Sequence, residues 1–259
     1  QIIIETGLIE IHDDFKIYWN KAPIGRIISG KDYLNPSIEL IVDDILEQNQ
    51  IKKLIVFLEK WLKNKINTIL KSLIDLKNLK EKNSSIKALA YQLYENNGVI
   101  KRDQVSEYLK NLGQNERKTL RDLGVKFGRY HVFLHRLIKP EAVSLRTLLW
   151  KNYHQKYFNL KPPIFGLNFL DNNKIKNRNF MLLCGFENFE NFYVRIDILE
   201  RLFMQIINSN SEKEIKMIPE MLNLLGCNKD NFKKLLKNMS YKIIEKDNEV
   251  FFKYIPKKN

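Results

Sequence analysis

The stretch NKDNFKKLLKNMSYKIIEKDNEVFFKYI, residues 228–255, decides the reading of the fold. Asn228 is placed to cap a helix that runs to Asn238. Tyr241–Lys246 and Val250–Ile255 then read as two strands around the turn Asp247-Asn248. Working backwards, Ile218–Leu225 is a short helix ended by Gly226. Ile196–Asn208 is a helix with an apolar stripe through Ile198, Leu199, Leu202, Phe203 and Ile206. Three helices followed by a hairpin is the order of a winged helix, in which the third helix and the wing usually face nucleic acid. Here they carry Lys229, Lys233, Lys234, Lys237, Lys242, Lys253, Lys257 and Lys258. The same arrangement also serves as a protein-interaction module, so these lysines do not by themselves assign a use.

Further upstream, Phe180–Phe186 and Phe192–Arg195 read as two strands. Residues 159–179, polar and Asn-rich with Pro162-Pro163, read as a linker. Pro140 opens a helix reaching about Tyr153. Gly124–Leu134 is a compact segment with strand-like ends. Helices are predicted over Asn115–Leu123, Arg102–Leu112 and Ile86–Asn97, the last capped by Asn83-Ser84-Ser85 and ended by Gly98. Ile51, Ile55, Leu58, Leu62, Ile66, Ile69, Leu73 and Leu76 alternate at spacings of three and four, one face of a helix about 28 residues and roughly 40 Å long. Before it, Ile2–Glu5, Leu8–His12, Phe15–Trp19 and Ala22–Ile28 read as a small antiparallel meander. The expected class is mainly α with small β elements, α+β. The expected division is a β-rich segment at 1–48, a helical bundle at 49–158, the linker, and a winged-helix-like module at 180–259.

Composition narrows the function classes. The chain has 259 residues, and 44% of them are hydrophobic, enough to build a core. Two cysteines exclude a disulfide scaffold and a Cys-rich zinc module. No apolar run approaches the ~18 residues of a membrane span, and the expected setting is cytoplasmic. The first residue, Gln1, suggests a processed chain or a piece of a longer one. Lys plus Arg is 44 and Asp plus Glu is 30, giving +14. With 34 Lys, 10 Arg and 28 Asn, part of that charge reflects a Lys- and Asn-rich composition rather than an anionic partner. Its distribution says more. Residues 1–50 hold 4 basic and 9 acidic groups, and the positive excess begins after them.

Gly25-Arg26-Ile27-Ile28-Ser29-Gly30-Lys31-Asp32 has the spacing of a phosphate loop but ends in Asp where Ser or Thr would bind magnesium. A phosphate-binding role is therefore disfavoured. His131 and His135 are four apart, yet no third ligand stands at metal-site spacing, so local packing is the better reading. Nothing in the chain suggests a nucleophile or an acid–base pair, and no catalytic residue, cofactor or metal is expected within it.

The informative block is 117–150, which holds half the arginines: Arg117, Arg121, Arg129, Arg136 and Arg146. Arginine contacts phosphate or carboxylate in a planar, bidentate way. Tyr130, His131 and Phe133 stand among these arginines, and aromatics beside cations suit stacking on single-stranded bases. The candidate nucleic-acid contacts are Arg117, Arg121, Lys126, Arg129, Tyr130, His131 and Arg136, with Lys233, Lys234 and Lys237 from the third helix of the module. The alternative is that the arginines pair with Glu116, Asp122 and Glu141 and tie helices together.

Leu123–Leu134, then Leu137-Ile138-Lys139-Pro140 and Leu145-Arg146 to Leu149-Trp150, resembles a block in bacterial relatives of the mitochondrial degradosome RNA helicase. Val194–Leu202, Met221–Phe232 and Ala88–Leu93 fit the same resemblance; His135 departs from it, where a proline is expected. The resemblance implies the C-terminal region of a superfamily-two ATP-dependent helicase. Its RecA-like motor, with ATP and Mg, would lie upstream on the same polypeptide. It implies a helical region that helps enclose single-stranded RNA, with no catalytic residue of its own. The rival expectation is a scaffold that docks a partner such as a nuclease.

Overall fold

The computed structural model describes residues 8–41, 46–171, 177–208 and 213–256. The expected strand Ile2–Glu5 and the lysines Lys257 and Lys258 lie outside them. The fold is α+β, with four small antiparallel sheets among the described residues. Its contacts group the chain into two compact units, one of residues 1–74 with 139–162, the other of 75–138 with 163–259. The grouping differs from the expected consecutive segments, because the helix opened by Pro140 belongs with the β-rich start.

In the first unit, β1 (Ile9–Ile11), β2 (Lys16–Trp19), β3 (Ala22–Asp32) and β4 (Asn35–Leu40) form a sheet in sequence order. Side chains alternate across a strand, and one face is buried through Ile17, Ile27 and Ile38. Two helices cover it: α1 (Gln48–Ile69) packs on β4, and α6 (Pro140–Tyr153) packs on β3. The core stripe of α1 is Leu58, Leu62 and Ile66. The expected rod to residue 79 stops short. Leu70 leaves helical geometry at φ −101°, ψ 25°, and a new helix, α2 (Lys71–Lys77), begins. Steps of four residues overshoot a full turn by about 40°, so a stripe at 58, 62, 66 and 70 winds off its face. The break resets the register, and Leu70 and Leu73 are both fully buried. The Gly25–Lys31 segment lies within β3. A Cβ on Gly30 would sit 2.0 Å from the Asn35 carbonyl oxygen, so this glycine serves a close strand approach and not a phosphate.

In the second unit, α3 (Ser84–Glu95) starts at Asn83, whose side chain accepts from the amides of Ser85 and Ile86. A 3-10 turn over Arg102–Val105, then α4 (Ser106–Lys110), takes the place of the longer helix expected there. β5 (Val99–Lys101), β6 (Val125–Phe127) and β7 (His131–Leu134) make a sheet in the order β5-β7-β6, with α5 (Gln114–Asp122) leading into β6.

The expected linker contributes β8 (Phe169–Asp171), which pairs with β10 (Phe192–Arg195); residues 172–176 are not described. Phe180–Phe186, expected as a strand, instead forms α7 (Arg178–Leu183), followed by β9 (Phe186–Phe189). A short apolar run suits either state. Here Asn177 decides it by accepting from the Phe180 amide at 3.0 Å, a helix cap.

The remainder follows the winged-helix order: α8 (Ile196–Asn208), β11 (Ile215–Lys216), α9 (Pro219–Leu225), α10 (Lys229–Asn238), β12 (Tyr241–Lys246) and β13 (Glu249–Tyr254), with the sheet ordered β11-β13-β12. Leu199, Leu202, Phe203, Phe232, Leu235, Leu236 and Phe252 fill its core, together with Phe192 and Val194 of β10. The β8-β10-β9 sheet is thus continuous with the winged module rather than separated from it.

Candidate nucleic-acid interface

The turn between β6 and β7, Gly128-Arg129-Tyr130, runs against α8. The Glu200 carboxylate of α8 accepts from the backbone amides of Tyr130 at 3.0 Å and His131 at 2.8 Å, and also from that of Arg129. A Cβ on Gly128 would lie 2.3 Å from the same carboxylate, so only glycine admits this approach. The anchoring aims the Arg129 side chain outward, and its guanidinium lies 5.6 Å from the ring centre of Tyr254 on the wing strand β13.

His131 is 2% exposed. Its Nδ1 lies 3.0 Å from Glu200 and its Nε2 3.0 Å from Glu187 of β9. Burial pulls the imidazole pKa down, but the bonds to Glu187 and Glu200 and their charges outweigh it, and the net shift is upward. Burial likewise pushes the Glu187 carboxyl up, and it is more than offset by His131, Arg178 and the Asn188 amide, so the net is downward. Of the two sequence expectations for this residue, its surroundings match local packing and hydrogen bonding rather than a base contact. With both ring nitrogens engaged inside the protein, His131 offers no face to a base. The two glutamates lie at opposite ends of the ring, which ties segments together rather than chelating an ion.

Tyr130 is partly buried, edge-on to Phe203 with ring centres 5.0 Å apart. Burial, with Tyr241 nearby, raises its pKa. It packs on the winged core instead of presenting a stacking face. Arg117 is half-buried and donates to the carbonyl oxygens of Leu109 (2.6 Å) and Leu112 (3.3 Å), closing the end of α4. It also lies over the Phe127 ring, as does Arg121. Arg121, Lys126, Arg129 and Arg136 are exposed, and Arg146 is fully buried in α6.

The alternative pairing with Glu116, Asp122 and Glu141 is not what holds Arg117, Arg121 and Arg129. Among the described residues no carboxylate is within ion-pair distance of the guanidinium of Arg117, Arg121 or Arg129; their neighbours are carbonyls and aromatic rings.

Sequence reasoning missed Arg102. It donates to the Gly128 carbonyl at 2.8 Å, which locks the same turn from the other side. Burial, then the charges of Arg117 and Arg129, depress its pKa, and Glu200 works the other way. Three arginines from separate segments therefore converge. Beside them opens a cleft of about 590 Å³, lined by Lys101, Arg102, Arg129, Asn188, Asn238 and Tyr254 among others. Sequence spacing could not show this, since Arg102, Arg129 and Tyr254 meet only through the fold.

The lysines of α10 stand elsewhere. Lys233 pairs with Glu245 of β12, and Lys229 and Lys237 share that carboxylate's field. Lys234 and Lys237 are exposed. The end of α10, Asn238 with Met239 and Ser240, lines the cleft, while Lys233, Lys234 and Lys237 are not among its lining residues. Among the described residues no helix is long and apolar enough to cross a membrane. Comparison with protein-family models, curated proteins and solved structures finds no match to this chain.

Proposed function

We propose that this chain binds single-stranded RNA along the Arg121–Phe127–Arg117 face and the adjoining cleft headed by Arg129. Its role in this reading is that of an accessory region guiding the strand for an upstream ATP-driven RecA-like motor. The observation that carries the binding reading is the convergence of Arg102, Arg117 and Arg129 without ion-pair partners among the described residues. Like charges held together cost free energy that a phosphate would relieve. The cleft adds the neutral amide of Asn188 and the ring of Tyr254, a set suited to a sugar-phosphate chain with little base selectivity. The motor context rests on the sequence resemblance alone, carried by the 123–150 block with Ala88–Leu93, Val194–Leu202 and Met221–Phe232.

Titration of labelled single-stranded RNA at several salt concentrations tests the proposal. Binding is expected at low salt, weakening as salt rises, and an Arg121→Ala, Arg129→Ala double variant is expected to lose at least tenfold in affinity. Absence of binding at low salt, or an unchanged affinity in the double variant, would sink it.

A further inference from the structure

Resting on that reading of the cleft, we infer that Glu200 and His131 are positioning residues for Arg129, and that the protonated imidazole locks the RNA-gripping turn. Glu200 is 4% exposed and Glu187 3% exposed, and the imidazole sits between them. A doubly protonated ring donates to both carboxylates. A neutral ring donates from one nitrogen only and turns a lone pair toward the other carboxylate.

Glu200 is the group that gathers the amides of Arg129, Tyr130 and His131. Loss of the imidazolium therefore weakens the hold on the residue that reaches into the cleft. At the far end, Glu187 accepts from the Asn188 amide at 3.1 Å, and Asn188 itself lines the cleft. The chain Glu200–His131–Glu187 thus joins two walls of one site. The other charged groups facing it are Arg178 of α7, which is 3.4 Å from Glu187, and Arg102, whose charge reaches Glu200. Lys101, Asp103 and Arg129 line the cleft beside it.

Affinity for a short oligoadenylate, read from about pH 6 upward, tests this alongside NMR titration of the His131 ring. Affinity is expected to be level while the ring is charged. It should fall roughly tenfold, a usual size for coupling between linked groups, with a midpoint matching the ring's own titration. The fall should persist in His135→Gln and vanish in His131→Gln. Glu200→Gln, close in shape to the native side chain, should weaken binding even at the acid end and reduce its salt dependence.

Affinity that stays level while NMR shows the ring losing its proton overturns the inference. So does a Glu200→Gln protein that binds as the wild type does, or a pH dependence that disappears with His135. The two readings fail separately. If Arg129→Ala leaves affinity unchanged, the cleft is not the RNA site. If Arg129→Ala loses binding while Glu200→Gln and pH have no effect, only the positioning role falls.

Discussion

A buried imidazolium held between two buried carboxylates makes the stability of the second unit depend on pH from two sides. The folded pKa of His131 is raised, so its stabilising contribution is complete below its ordinary value of 6.5 and is lost as pH rises through the folded value. The folded pKa of Glu187 is lowered, so its contribution is present above its ordinary 4.5 and is lost as pH falls through the folded value. Urea midpoints measured against pH should therefore show a plateau that covers 4.5 to 6.5 and declines on both sides. A stability still rising above the titration of His131 would contradict this. Replacing one partner is more severe than titrating it. His131→Ala leaves two carboxylates facing a void, and a loss of about 3–5 kcal/mol is expected in urea unfolding. At this scale the residue types along the 128–131 turn do not show which side chains face out and which face in. Arg129 reaches solvent as its type suggests, while His131 and Tyr130, beside it in the chain, turn inward because Glu200 and the Phe203 ring await them.

The elements most easily read were those whose ends carry their own hydrogen bonds. Asn228 accepts from the Asn231 amide at 2.8 Å and starts α10 where the sequence places it. Asn228→Ala should cost about 1 kcal/mol by thermal or urea unfolding, and a neutral substitution would show that the cap is dispensable. The wing was legible for a similar reason. Asp247 (φ 50°) and Asn248 (φ 61°) both adopt the left-handed region that a two-residue hairpin of this twist requires. The sequence shows the first part of β3, as the strand Ala22–Ile28, but not its pairing with β4, because Asn35-Pro36 breaks the strand pattern of β4. Gly30→Ala should force Asn35 away and destabilise the first unit by more than about 2 kcal/mol. An alanine protein with unchanged melting would refute that account of the glycine. β8 and β11, only 3 and 2 residues long, were missed because such short strands have no visible period and exist by pairing with β10 and β13.

For the molecule as a whole, +14 overstates the useful charge, since the α10 lysines are partly committed to Glu245 while the convergent arginines are few. Under the proposed function, the salt dependence of RNA binding should reflect that smaller number. Single strands release about 0.7 counterion per neutralised phosphate, so removing Arg121 and Arg129 together should flatten the log–log salt slope by about 1.4. An unaltered slope would mean that other cations carry the contact. The sequence by itself determined the α+β class, the N-caps of α3 and α10, the bounds of α8, and the winged-helix order, because periodicity, caps and turn residues act over a few positions along the chain. Tertiary structure alone decided that α6 joins the β-rich start, that residues 169–171 pair with β10, and that His131 is an internal tie. It also decided that Arg102, Arg129 and Tyr254 share one cleft. Those outcomes depend on burial and on groups tens of residues apart, and no local pattern records which carboxylate will wait at the far side of a turn.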